Sequence, residues 1–537
     1  MSRLRTLYGP PAGPPPDTRN HAGFPAFTPT DRHAVAELLL LGTLGPTFYA
    51  DAEHWATVTA DTAIRMAASD PDFLARAAVL AREQGYVRSA PLVALVALAS
   101  GPPPAQALAR RIWERIIRTT DDLRHVIALA QSQRFRPGYG GLVQRLAKRW
   151  LNDHLTEYQA VKYDERGRLS LRNILRMTHP RPTTPERQAV YRWVVRREVD
   201  PQWAGATIRA LAALSAGELD PAAAIRAGHL PFEAVMPRVR RGDAPVWRAL
   251  LEHAPYQFLL RSLAAMGAAG VWADPDAVAQ AATRIRDPEA VRRAMIWPFQ
   301  LWQAVRVLQA KQAPSALIEA VYDALEASLA HVPAWPTRRL AIGLDVSGSM
   351  RGTAVTGRTS AAVIGGLFTA ALWKRNPDAR VLPFGTDVLP LAHLPRPGRS
   401  GPGQPLGISP RDSLVTLATV LSTLDGGGTD LSAPIRQLVL DRHPVDVYIG
   451  LTDSEDWAAS GGWHGNGFLA AWQHYRATIA PQAQAILIQL VPSGTRVAPS
   501  EMPGVRYIYG WSDTVLRYLD HLIAGRDLVA LIESVAL

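Results

Sequence analysis

From about Asp31 to about His331, apolar residues recur at three- and four-residue spacing and strict alternation is almost absent. The stretches Leu38–Leu41, Ala63–Ala68, Phe73–Gln84, Ala105–Arg118 and Gly141–Leu151 each predict a helix with one apolar face. Ser69-Asp70-Pro71, Gly101-Pro102-Pro103-Pro104 and Asp287-Pro288 break the pattern between helices. Many short helices joined by tight breaks predict a solenoid of helical pairs, in units of roughly 40 residues. The text ahead of them is rich in Pro and Gly, and residues 1–20 are expected to form an irregular arm. The pattern changes after His331-Val332-Pro333-Ala334-Trp335-Pro336-Thr337. Strands are expected at Arg339–Leu344, Ala379–Phe384, Val445–Leu451, Gln484–Val491 and Val505–Tyr509. Helices are expected between them at Thr359–Arg375, Val415–Leu424, Ser432–Leu440 and Phe468–Arg476, with a final one at Asp513–Ile523. Such alternation predicts a doubly wound parallel sheet. The expected architecture is therefore multi-domain: all-α helical repeats over 21–335, then an α/β domain over 336–537.

Composition agrees with this picture. A chain of 537 residues, 47% hydrophobic and 20% charged, can build more than one core. The absence of cysteine excludes disulfides, thiolate zinc sites and cysteine nucleophiles. Apolar stretches such as Leu92–Ala99 are too short to span a bilayer. Prolines occupy Met1–Asp17, where a secretory leader needs an apolar run. A cytoplasmic, monomeric protein without membrane association is expected.

The net charge of +11 changes the picture because it is unevenly spread. Residues 101–200 hold 20 Lys and Arg against 10 Asp and Glu, a net +10, whereas residues 336–537 hold 17 against 16. Arginine supplies nearly all of it; Lys148, Lys162, Lys311 and Lys374 are the only lysines. Guanidinium forks match phosphate oxygens and stack on bases, so the clustering points to a polyanion. The candidates run from Arg134 and Arg136 in a loop, through Lys148 and Arg149 on a helix, to Lys162, Arg168, Arg172, Arg176, His179 and Arg181. Arg168, Arg172 and Arg176 follow at four-residue spacing, where like charges repel unless an anion relieves them. Some of these arginines are expected instead to pair with Asp164, Glu165 or Glu186. No helix-turn-helix, zinc finger or basic zipper is evident. A broad helical surface suits irregular RNA and single strands, although composition alone does not separate RNA from DNA.

A second chemistry lies in the C-terminal part. The first strand runs into Asp345-Val346-Ser347-Gly348-Ser349, a carboxylate and two hydroxyls on alternate residues. Gly426-Gly427-Gly428-Thr429-Asp430 offers another hydroxyl, and Thr452-Asp453 another carboxylate at a strand end. Oxygen ligands from three strand-end loops favour a hard divalent cation, Mg2+ above all, over separate helix caps. The expected ligands are Asp345, Ser347, Ser349, Thr429 and Asp453. Signatures of enzymes are missing: there is no G-x-S-x-G at Ser347, no phosphate-binding loop with its lysine and no H-E-x-x-H.

These five residues resemble a metal-ion-dependent adhesion site, and the domain around them resembles the von Willebrand factor A type. That resemblance implies an open metal position that takes an acidic group from a partner protein. The helical part adds further likenesses. Leu38–Tyr49 resembles a segment of the TROVE domain. Ala160-Val161-Lys162-Tyr163, with Leu169–Leu175 and Arg176-Met177-Thr178-His179-Pro180-Arg181-Pro182, resembles that domain's K-Y…S-H-x-K-P stretch. Ile296-Trp297-Pro298-Phe299 resembles its I-H-P-F segment, with Trp where the family has His. The chain thus resembles the Ro autoantigen family, in particular its bacterial members. The resemblance implies HEAT-like repeats closed into a ring, with small noncoding Y RNAs bound outside and ends of misfolded or structured RNAs near the hole. It also implies cooperation with an exoribonuclease in RNA quality control, maturation or decay under stress, and RNA contacts at Lys162 and His179. His179 ahead of Pro180 reads equally as a helix cap. Two alternatives stay open: a metal-dependent protein-interaction module without an RNA role, and a magnesium-dependent nuclease; a non-enzymatic scaffold is the leading expectation.

Overall fold

The structure, a computed structural model, describes residues 16–537 apart from 21–22, 24, 41–51, 133, 136–139, 165–168, 239–242, 353, 357–358, 390, 392–407, 454–466, 491–494, 501 and 511–512. Candidates Arg136 and Arg168, and most of the Leu38–Tyr49 segment, lie outside the described residues. The contacts divide the chain into two compact units. One gathers residues 67–75 and 92–328; the other gathers residues up to 66, residues 76–91 and residues 329–536.

The first unit is helical among its described residues, as the periodicity predicts. The elements that matter below are α2 (Thr120–Ala130), α3 (Gly141–His154), α4 (Glu157–Tyr163), α5 (Leu171–Thr178), α6 (Pro185–Arg196), α7 (Ala206–Ala216) and α8 (Phe232–Val235). They follow α1 (Asp31–Leu40) of the other unit. Several of them begin where the sequence supplies a capping side chain. Thr119 and Asp122 form a reciprocal capping box on α2, Ser170 accepts the Asn173 N–H at the start of α5, and Thr184 caps α6 ahead of Pro185. Each buries one stripe, such as Leu171, Ile174, Leu175 and Thr178 on α5.

The second unit centres on five parallel strands: β1 (Leu340–Asp345), β2 (Arg380–Phe384), β3 (Val447–Thr452), β4 (Gln484–Gln489) and β5 (Val505–Tyr509), in spatial order β2-β1-β3-β4-β5. All six residues of β1 are buried, which is why it reads as a continuous apolar run. The order reverses beside β1, because the chain goes out to β2 and returns past β1 to β3. Such a switch point leaves a crevice at the carboxyl ends of the two strands, here at Asp345 and Thr452-Asp453. The helix Ala361–Arg375 is buried on nearly every side, against the sheet and the helix Leu414–Ser422. The expected final helix is a 3-10 stretch, Asp513–Tyr518, running into a helix at Leu519–Ile523. A further helix, Leu528–Glu533, was not anticipated from the sequence. Within this unit α1 packs on β5 and on Leu528–Glu533. Among the described residues no helix is long and apolar enough to cross a membrane.

Candidate metal centre and nucleic-acid interface

The five expected metal-binding residues lie in loops at the β1–β3 crevice. Asp345 is the last residue of β1, and its Oδ1 accepts the Ser347 N–H at 2.9 Å, which turns the loop back on itself. The Ser347 and Ser349 hydroxyls lie 3.1 Å apart. Gly348 N–H donates to the Gly427 carbonyl at 3.0 Å and Gly426 N–H to the Val346 carbonyl at 2.9 Å, so the Thr429 loop is tied to the Asp345 loop through backbone. The Thr429 loop also lies against the end of β2, where glycine is needed: a Cβ on Gly385 would lie 1.9 Å from the Gly426 carbonyl oxygen. Thr452, at the end of β3, donates its hydroxyl to Asp345 Oδ2 at 2.8 Å, a role the sequence did not disclose. Asp453 follows it.

Asp345, Ser347, Thr429 and Asp453 are buried and Ser349 is half-buried. Burial and then the charge of Asp453 raise the Asp345 carboxyl well above the usual carboxylate range, against the hydrogen bonds from Ser347 and Thr452. The buried Thr429 hydroxyl has no hydrogen-bond partner among the described residues. Two mutually repelling buried carboxylates beside an unsatisfied hydroxyl fit a hard divalent cation, which would neutralise the first and coordinate the second. Asp430, one residue on, does different work: it accepts from the Ser432 N–H, the Ser432 hydroxyl and Arg436.

The basic candidates separate into groups. The carbonyl of Met177, near the end of α5, accepts from the Gln144 amide on α3 at 2.9 Å, and its sulfur lies 3.9 Å from the Gln131 amide at the end of α2. Three helix termini therefore meet, and with them come Arg134, Arg176, His179 and Arg181, all exposed. His179 is the C-cap of α5 with φ 45°, its N–H donating to the Leu175 carbonyl. The left-handed turn costs a non-glycine residue roughly 1 kcal/mol and throws the following Arg181 off the helix line. Among the described residues neither Arg176 nor Arg181 is paired with a carboxylate.

Other candidates are committed elsewhere. Arg172 donates to the Val194 carbonyl at 3.3 Å and fastens α5 to α6. Arg149 lies 3.4 Å from Asp153 and 3.6 Å from Glu114. Lys148 is half-buried on α3. Lys162, on α4, borders a separate cavity and sits 5.8 and 5.6 Å from the Tyr158 and Tyr163 ring centres. The same cavity holds Arg197 and Arg238, which the sequence reading did not single out.

Residues 234–334 match the TROVE domain and residues 339–523 match the Ro60 vWA domain, together more than half of the chain. The chain belongs to the Ro family. It is 28% identical over 467 residues to the RNA-binding protein RO60 of Deinococcus radiodurans, covering 82% of this chain and 83% of that protein. The crystal structure of the Deinococcus radiodurans RO (RSR) protein superimposes with a TM-score of 0.68 at 25% identity, covering 91% of this chain and 99% of that one. The Ro assignment accounts for the order of a helical region followed by a parallel-sheet domain. The matched TROVE residues include Ile296–Phe299 but begin after the Lys162–Pro182 stretch.

Proposed function

We propose that this Ro-family chain binds structured RNA on the face where α2, α3 and α5 meet, in the manner of a small noncoding Y RNA. The observation that carries this reading is the meeting of α2, α3 and α5 at Met177, in stretches that leave Arg134, Arg176, His179 and Arg181 exposed, with no carboxylate paired to Arg176 or Arg181 among the described residues. Repelling cations gathered on a rigid helical platform are stabilised by phosphate, and their guanidinium planes also accept stacked bases. The name of the Deinococcus relative supports RNA as the polyanion. A role in RNA quality control, maturation or decay, with an exoribonuclease as partner, follows if misfolded RNA is held on this face.

We propose further that Asp345, Ser347, Ser349, Thr429 and Asp453 hold Mg2+, directly or through water. The cation would supply a positive point to which a partner's carboxylate binds. This chain's part is to present the ligands preformed, through the backbone ties between the loops.

Gel shifts with a structured Y-like RNA across a salt series test the first reading. Arg176→Ala/Arg181→Ala should weaken binding and lower the slope of log K against log salt by roughly 1.5, as each lost phosphate contact removes about 0.7–0.9. An unchanged slope would move the interface elsewhere.

A further inference from the structure

Two histidines outside both sites described above meet at the ends of neighbouring helices in the helical unit. His229 is the C-cap of the helix Pro221–Gly228, and His253 is the last residue of the helix Ala244–His253. Their imidazole ring centres are 4.6 Å apart with the planes at 88°, and both residues are exposed.

The fold holds both rings from behind. Gly228 presses on α7: a Cβ there would lie 2.4 Å from the Ala210 Cβ and 2.8 Å from the Ala206 carbonyl oxygen. His229 then turns at φ 48°, a left-handed conformation that costs a side-chain-bearing residue more than glycine. On the other helix, Arg284 donates to the Leu251 and Ala254 carbonyls and so fixes the backbone on either side of His253. Arg226 and Glu252 join the two helices through a forked pair at 2.9 and 3.0 Å. A Glu252 oxygen lies 4.0 Å from His253 Nε2. The hydrogen bonds from Arg226 hold the Glu252 carboxyl below the usual carboxylate range, so it stays an anion beside the rings. Arg248, which also acts on Glu252, is paired with Asp274.

We infer that His229 and His253 chelate one Zn2+ ion between them. Zinc–nitrogen bonds of about 2.0–2.1 Å, with each ring centre about 1.1 Å beyond its nitrogen, put two ring centres about 4.5–5 Å apart on one ion. The observed separation falls in that range, so rotation of two exposed rings, without movement of the helices, brings a nitrogen of each onto the metal. Imidazole suits zinc, whereas magnesium prefers oxygen ligands, so this site is chemically distinct from the one at Asp345. Glu252 remains with Arg226, and among the described residues no third His, Asp or Glu is placed to complete a cluster. Water fills the other positions, and the bound ion staples the ends of the two helices.

The test is titration of Zn2+ into the full chain, read by calorimetry and by thermal unfolding, with Mg2+ kept in excess to occupy the Asp345 site. His229→Asn keeps a residue that tolerates the left-handed turn, and His253→Gln keeps a good helix former; circular dichroism checks that both variants fold. Wild type should bind one more Zn2+ than either variant and gain unfolding temperature in doing so. Each single substitution should weaken this site at least about tenfold, since even the outer partners of a metal ligand cost that much. The double variant should lose no more than either single one, because one ring alone does not chelate. With Cu2+ as the probe, electron paramagnetic resonance should show two ring nitrogens in wild type and fewer in each single variant. Equal Zn2+ binding by variants and wild type, or small losses that add in the double variant, overturns the inference and leaves the pair as an edge-to-face ring contact.

Discussion

Asp345 and Asp453 put two carboxylates where water is excluded, and Thr429 adds a hydroxyl without a partner among the described residues. A cation bound only by the folded state stabilises it by mass action, by about 2.7 kcal/mol when present at roughly one hundred times its dissociation constant. Titration of Mg2+ against thermal unfolding should therefore raise the midpoint of wild type. Asp453→Asn, which keeps the shape and removes one charge, should abolish that response; a retained response would mean the ion binds elsewhere. The loops at Asp345 and Thr452-Asp453 were legible as strand ends, whereas Gly426–Asp430, expected as a third strand end, joins the helices Leu414–Ser422 and Ala433–Leu440. The contribution of Thr452 was not legible, since a β-branched residue closing a buried strand looks like sheet and nothing more. Less legible still is the ion pair of Glu37 and Arg496, 459 residues apart, fully buried at 2.6 Å. Arg496 also donates to Tyr509 at 3.0 Å and lies 5.3 and 4.8 Å from the Tyr507 and Tyr509 ring centres. Its backbone exchanges two 2.9 Å hydrogen bonds with Phe27. Removing one partner strands the other charge in a dry site. Glu37→Leu should thus cost about 3–5 kcal/mol, read from urea unfolding, and Glu37→Leu/Arg496→Met should recover much of that loss. A cost that the double variant does not reduce would show that packing, not charge, dominates there.

At the scale of elements, periodicity predicted where helices and strands lie, and caps set their ends. Helix α5 starts at Leu171 because Ser170 serves as its cap. The helix Leu528–Glu533 escaped notice because six residues carry too little pattern to stand out from a terminal tail, even with Asp527 as its cap. How elements cross was not legible either. Gly366, midway along the buried helix Ala361–Arg375, meets the backbone of Leu414–Ser422: a Cβ there would lie 2.9 Å from the Ser422 nitrogen and 3.1 Å from the Ala418 carbonyl oxygen. In sequence this glycine looks like a weak spot in a helix; in the fold it is what lets two backbones touch. Gly366→Ala gains helix propensity but must push the helices apart. A net loss of about 1–3 kcal/mol is expected, seen as a lower unfolding temperature. If the substitution stabilises the protein, propensity outweighs the crossing and the packing is looser than these distances imply.

On the scale of the whole molecule, the two candidate chemistries fall in different compact units. The cations of the α5 face, and the cavity beside α4, belong to the helical unit; the carboxylates and hydroxyls belong to the sheet unit. The charge distribution reflects this, with a net +10 over residues 101–200 and near balance after residue 336. Charge density was readable from the sequence, but which arginines are available was not. Arg149 and Arg172 look like their neighbours in the text, yet the fold commits them to Asp153, Glu114 and the Val194 carbonyl. If phosphate contacts supply most of the affinity, the salt dependence belongs to the helical unit alone. At constant Mg2+, which keeps the RNA folded, Asp345→Ala should leave both RNA affinity and its salt slope within about twofold of wild type, while Arg176→Ala/Arg181→Ala lowers both. The opposite pattern, with the metal-site variant reducing RNA binding and the arginine variant silent, would make the cation a bridge to RNA phosphate. In that case the crevice between β1 and β3 would carry the nucleic acid, and the clustered arginines would serve only to solvate the helical surface.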